Sequence, residues 1–146
     1  MGYVGTITAV DKESIESHLK RGRITVLSPL GLGGDQQIHN VNADEVASAI
    51  ASALEAEKFV LLTDVQGVLR EINDPGSLIS TLKMTEVESL IQNKVIVGGM
   101  IPKVQSCMEA LKGNVKKAHI VDARIAHALL LEIFTDMGIG TQILKQ

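Results

Sequence analysis

The run Phe59-Val60-Leu61-Leu62, entered from Lys58 and closed by Thr63-Asp64, shows no alternation of apolar and polar side chains. A strand that is apolar on both sides must be covered on both faces, which is the situation of a parallel sheet between helices. Parallel strands need long crossovers, and the chain supplies them. Apolar spacing predicts helices over residues 11–21, with Ile15 and Leu19 on one face, and over 45–54, with Asn42 as N-cap. It predicts further helices over 85–93, with Thr85 and Glu88 at capping-box separation, over 101–111, with Pro102 in the first turn, and over 126–134. Residues 3–10, 24–27, 58–62, 117–121 and 140–144 read as strands. The stretch 70–82, punctuated by Asn73-Asp74-Pro75-Gly76-Ser77, reads as a loop or hairpin outside the core. Strands alternating with helices specify an α/β fold, an αβα sandwich with a mainly parallel central sheet, in a single domain over 1–146.

Composition narrows the function classes. With 45% hydrophobic and 21% charged residues among 146, the chain has apolar material for one core and is far from a disordered composition. Fourteen Lys+Arg against 17 Asp+Glu leave a net charge of -3 without any basic run, which sets aside nucleic acid and anionic membrane as partners. No apolar run reaches the roughly 18 residues that a bilayer-spanning helix needs. The start Met1-Gly2-Tyr3-Val4-Gly5 lacks the layout of a signal peptide, and the single Cys107 has no partner for an internal disulfide. A reducing, cytoplasmic setting is the expectation. Aromatic residues make up only 2%, so the core is to be built from Val, Ile, Leu, Ala and Met.

Open parallel sheets bind ligands beyond the carboxyl ends of their strands, which directs attention to the loops after Leu27, Leu62 and Val121. Gly31-Leu32-Gly33-Gly34 is half a dinucleotide fingerprint without its third glycine or its helix, and reads as a turn. Gly98-Gly99-Met100-Ile101-Pro102-Lys103 is sharper: two glycines free the backbone, and a helix start followed by a lysine suits a phosphate as well as it suits an ordinary helix entry. It lacks the order of a Walker loop. Thr63-Asp64-Val65-Gln66-Gly67-Val68-Leu69 either lets a nucleotide lie close to the backbone or ends its strand in an Asx-turn. Asn40 and Asp44 read as a turn amide and a first-turn carboxylate. Cys107 reads as core. His18, His39, His119 and His127 have no metal-ligand spacing, so no protein-held metal is expected. Lys112, Lys116 and Lys117 read as a solvated face.

Five blocks occur in order: Val4-Gly5, Asn40-Val41-Asn42-Ala43-Asp44, Leu61-Leu62-Thr63-Asp64-Val65-x-Gly67-Val68-Leu69, Gly98-Gly99-Met100-Ile101-Pro102-Lys103-Val104 and Gly138-x-Gly140-Thr141. Together they resemble the C-terminal half of the acetylglutamate kinases, within the amino acid kinase family, over essentially the whole chain. The resemblance implies an ATP-binding lobe and a parent reaction in which ATP phosphorylates the side-chain carboxylate of N-acetyl-L-glutamate, in arginine biosynthesis. It makes Lys103 the lysine that stabilises the transferring phosphoryl group, Asp44 the organiser of active-site lysines and Asn40 a contact to the acetylglutamate. It lines the nucleotide with Thr63, Asp64, Val65, Gly67, Val68 and Leu69, and closes Val95, Ile96, Val97 and Met100 over it. Mg2+ is expected with ATP, held mainly by phosphate oxygens and water.

The family's N-terminal half, with its lysine-glycine-glycine phosphate loop and its arginine for the acceptor, has no counterpart here. The expectation is therefore a lobe cut from a longer protein before Met1-Gly2, with affinity for ATP and ADP and negligible turnover. The missing half is its natural partner, and the cut edge near Tyr3 offers self-association as a homo-oligomer. No arginine response is expected, because the N-terminal helix associated with it is absent. Two alternatives stay open: a lobe of a related carboxylate kinase such as an aminoadipate kinase, and a non-catalytic nucleotide-binding or partner-docking module.

Overall fold

Asp11 accepts the Ser14 amide and starts α1 (Lys12–Leu19), and a small antiparallel hairpin of β1 (Leu30–Leu32) and β2 (Ile38–Asn40) follows. The computed structural model describes residues 3–135 and 138–146, so the Met1-Gly2 start lies outside the described residues. Asn42 caps α2 (Ala43–Ala53), its side-chain oxygen accepting the Asp44 and Glu45 amides. Then come β3 (Lys58–Thr63), β4 (Thr81–Lys83), α3 (Met84–Gln92), α4 (Met100–Lys112), β5 (Lys117–Asp122), α5 (Ala128–Phe134) and β6 (Thr141–Leu144).

The sheet runs β3-β5-β6-β4. β3 pairs in parallel with β5 and β4 in parallel with β6, while β5 and β6 are antiparallel, so the sheet is mainly parallel. Val104, Cys107, Ala110 and Leu111 of α4 meet Phe59, Leu61, Ala118, Ile120 and Ile143 on one face in a dry core. α5 covers the opposite face, where buried Glu132 meets buried His119 of β5. Helices on both faces make an αβα sandwich.

Several expectations fail for one reason. Residues 3–10 form no strand beyond an isolated bridge between Val4 and Asn40, and residues 24–27 form none, with Ile24 93% and Val26 91% exposed. β-branched sequence becomes strand only where a neighbour completes the ladder, and among the described residues none does. β3 stands at an edge and is covered fully on one face only, by α4: its burial alternates, and Leu62 is 52% exposed instead of covered on both faces. Conversely, the stretch read as a loop contains β4, and Leu82 and Ile79 lie in the core. Because β4 runs straight into α3, the amide needing a cap is that of Lys83, which donates to Glu86 Oε2 at 2.8 Å; the capping pair is two residues earlier than Thr85 and Glu88. α5 begins at Ala128 because His127 holds a left-handed φ of 59°.

Candidate functional site

The loop after β3 is shaped by what it packs against. Thr63 is buried, its carbonyl accepting the Ala123 amide at 2.8 Å and its hydroxyl accepting the Val65 amide at 3.2 Å. Gly67 has a φ of +141°, and a Cβ there would lie 2.5 Å from Thr141 Oγ1. Glycine lets the chain pass so closely that the buried Val68 amide donates to Thr141 Oγ1 at 2.8 Å. The loop thus forms the floor of a cavity of about 340 Å3. Asp64, Val65, Gly67, Val68 and Leu69 of this loop line it together with Ile72, Val95, Val97, Gly99, Met100 and Lys103.

α4 begins at the cavity without a side-chain cap. Its first amides are not free as the sequence suggests: those of Met100 and Ile101 donate to the Val97 and Gly98 carbonyls at 3.2 Å, and Pro102 has none. The explicit positive charge is that of Lys103. Its ammonium lies 3.3 Å from Asp44 Oδ2, and each side chain is 27% exposed, so the pair is partly shielded yet reachable by a ligand. Asp44 sits in the first turn of α2, where the helix dipole favours a carboxylate. Two helix starts, 59 positions apart in sequence, are thereby joined at the cavity.

Not every residue assigned by resemblance lines this cavity. Ile96 turns into the core between Val95 and Val97, and Thr63 acts through its hydrogen bonds. Asn40 is exposed on β2, its amide donating to the Tyr3 carbonyl and its carbonyl accepting the Gly5 amide. It lies four residues before Asp44 and outside the cavity lining. Gly99, within the Gly98–Lys103 run that the sequence singles out, also lines the cavity, as does Ile72, which sequence reasoning does not assign to it. For Ile72 the available signal is an apolar side chain beside the polar turn Asn73-Asp74-Pro75-Gly76-Ser77.

Cys107, one turn beyond Lys103, is fully buried, and burial pushes its thiol up to about 12, with the Asp44 charge adding to the effect and Lys103 opposing it. At the same sheet edge the Arg124 guanidinium grips Asp122 at 2.8 and 2.9 Å and holds that carboxyl below the usual range. Among the described residues there is no group of three His, Cys, Asp or Glu that could hold a metal ion.

A three-layer α/β fold with an apolar cavity beyond the carboxyl end of a sheet strand is the arrangement in which open α/β sheets bind their ligands. Residues 2–122 match the amino acid kinase family, and the chain belongs to it. It is 51% identical to the acetylglutamate kinase of Syntrophomonas wolfei over 100% of this chain and 51% of that protein, and 52% identical to that of Moorella thermoacetica over 98% and 48%. The chain thus spans about half the length of the curated relatives it matches. Among solved structures it resembles the N-acetylglutamate synthase of Neisseria gonorrhoeae complexed with coenzyme A and N-acetyl-glutamate, with TM-score 0.90 and 32% identity over 99% of this chain and 33% of that one. Giardia carbamate kinase shares the fold at TM-score 0.67 and 20% identity, over 93% and 48% of the two chains.

Proposed function

We propose that this chain is the nucleotide-binding lobe of an acetylglutamate kinase, a cytoplasmic enzyme of arginine biosynthesis. The observation that carries the reading is the cavity itself: Val65, Leu69, Val95, Val97 and Met100 line it together with Lys103, whose ammonium is paired with Asp44. Apolar side chains suit a nucleobase, and a lysine suits phosphates. Phosphoryl transfer asks a protein mainly for positioning and charge neutralisation. Lys103 would offset the charge that grows on the transferring group, and Asp44 would hold the ammonium toward it. Mg2+ would enter bound to the phosphates and neutralise their charge.

The acceptor would be the side-chain carboxylate of N-acetyl-L-glutamate, approached from the Asp44 side, with Asn40 as a contact. The 146 residues contain no lysine-glycine-glycine phosphate loop, so the chain alone should bind nucleotide and form negligible acyl phosphate. A polypeptide corresponding to the unmatched half of the relatives would complete the site. The test is calorimetric titration of the chain with MgADP and a non-hydrolysable ATP analogue, repeated with Lys103→Ala. Saturable binding, weakened about tenfold or more when the charge-assisted hydrogen bond is removed, is expected. A folded chain that binds neither ligand at millimolar concentration, or turns over acetylglutamate rapidly by itself, refutes the reading.

A further inference from the structure

Asn40, the contact proposed above for acetylglutamate, stands on a strand of only three residues, and its neighbours set its place. Its amide donates to the Tyr3 carbonyl at 2.9 Å and its carbonyl accepts the Gly5 amide at 3.1 Å, so residues 3–5 and β2 fix each other at this point. The residue before it is held twice. The His39 ring packs beside the Tyr3 ring, with centroids 5.4 Å apart, and its Nε2 lies 3.2 and 3.3 Å from the two carboxylate oxygens of Asp35, in the turn between β1 and β2. Asp35 Oδ1 also accepts the Gln37 amide at 3.0 Å, and Gln37 and His39 together hold the carboxyl below its usual range. Asp35 is the only hydrogen-bond partner of the imidazole among the described residues, because His39 Nδ1 is buried without one. Two glycines make room for the ring. A Cβ at Gly33 would lie 2.6 Å from His39 Nε2, and one at Gly5 would lie 3.2 Å from the His39 Cβ. Neighbouring residues of a strand face opposite sides, so with His39 turned to these glycines Asn40 is left exposed.

We propose that His39 is a positioning residue for the acceptor: through its bond to Asp35 and its packing on Tyr3 it fixes β2 against residues 3–5 and so sets the place of the Asn40 side chain, without touching the ligand. The assignment rests on the reading of Asn40 as an acetylglutamate contact, and the experiment separates the two. The isotope-labelled 146-residue chain is titrated by NMR with N-acetyl-L-glutamate and, separately, with MgADP. The variants are His39→Ala, His39→Gln, Asp35→Ala, the double variant of His39→Ala with Asp35→Ala, and Asn40→Ala. N-acetyl-L-glutamate should shift the Asn40 side-chain amide of the wild type. His39→Ala should weaken this binding by about fivefold, because the contact is then no longer preorganised, and leave MgADP unchanged. His39→Gln, whose amide can still donate to Asp35, should restore most of the affinity. Asp35→Ala should cost as much as His39→Ala and the double variant no more than either, as expected of two groups that act as one. The Asn40 backbone amide should exchange faster with solvent in both single variants. Because nothing before Ala47 belongs to the core, their melting temperatures should match wild type. Unchanged acetylglutamate affinity in His39→Ala, an equal loss for MgADP, or additive losses in the double variant overturns the positioning role and leaves the acceptor reading to Asn40→Ala. Affinity that follows His39 with no effect of Asn40→Ala removes Asn40 as the contact, and the proposal with it. A wild-type chain whose Asn40 signals ignore acetylglutamate overturns both.

Discussion

Cys107 illustrates how one buried side chain separates packing from chemistry. It lies on the helix that carries Lys103, which would make it a tempting nucleophile, yet it has no exposed surface and its thiol is pushed up to about 12. The thiolate is the reactive form, and at pH 8 such a group would be ionised in only about one molecule in ten thousand. A thiol reagent such as an aromatic disulfide should therefore label the native chain only as fast as it unfolds, and label it at once in denaturant. Stoichiometric labelling within the mixing time, without denaturant, would show that α4 opens locally and that the core around it is not closed. Gly67 makes the complementary case. Its value lies in the missing side chain, which lets Val68 reach Thr141 and so builds the cavity floor.

At the scale of elements, β5 and α5 are joined by a titratable pair. His119 Nδ1 lies 2.6 Å from Glu132 Oε1, both side chains nearly fully buried, and Glu132 Oε2 accepts the Ile139 amide at 2.8 Å. Burial dominates and lowers the His119 pKa below the ordinary imidazole value of 6.5, with Lys58 and Lys117 acting in the same direction and the bond to Glu132 against it. The unfolded chain takes up this proton more readily than the folded one. The stabilisation is therefore complete above the unfolded value of 6.5 and is lost as pH falls through the lower folded value. Urea midpoints measured from pH 8 down to 5 should fall, and His119→Gln, which keeps a donor but does not titrate, should flatten the slope. An unchanged slope in His119→Gln would assign the acid sensitivity to other groups. The same scale shows what sequence spacing reveals. Asn42 as cap, β3 and the Pro102 start of α4 carry their signals within a few residues, and each is legible. β4 is not, because Leu82 becomes buried only by pairing with β6 about sixty positions away, where Thr81 stands beside Gln142. The Lys103–Asp44 contact is equally non-local; spacing locates two helix starts, and only the family resemblance puts them together. Ile72 is hidden because an isolated apolar residue in a polar turn looks like surface until the cavity beside it is seen.

For the whole molecule, the outstanding fact is how much apolar surface is bare. Ile24, Val26 and Leu32 are exposed to 93%, 91% and 77%, and β3 has a free backbone edge among the described residues, whereas the relatives carry about as much chain again. An open strand edge is a template for further pairing, exposed apolar side chains favour association, and a net charge of only -3 opposes it weakly. The chain alone should accordingly show a sedimentation coefficient that rises with concentration from micromolar to sub-millimolar, and Val26→Lys should reduce the rise. A polypeptide corresponding to the unmatched half of an acetylglutamate kinase, co-expressed with it, should suppress self-association and give a defined one-to-one species, since it would offer the strand and the apolar face that this chain lacks. A chain that stays monomeric at sub-millimolar concentration and ignores the second half would mean that residues 3–40 close over this surface themselves. The chain would then be a finished domain with no need of a partner.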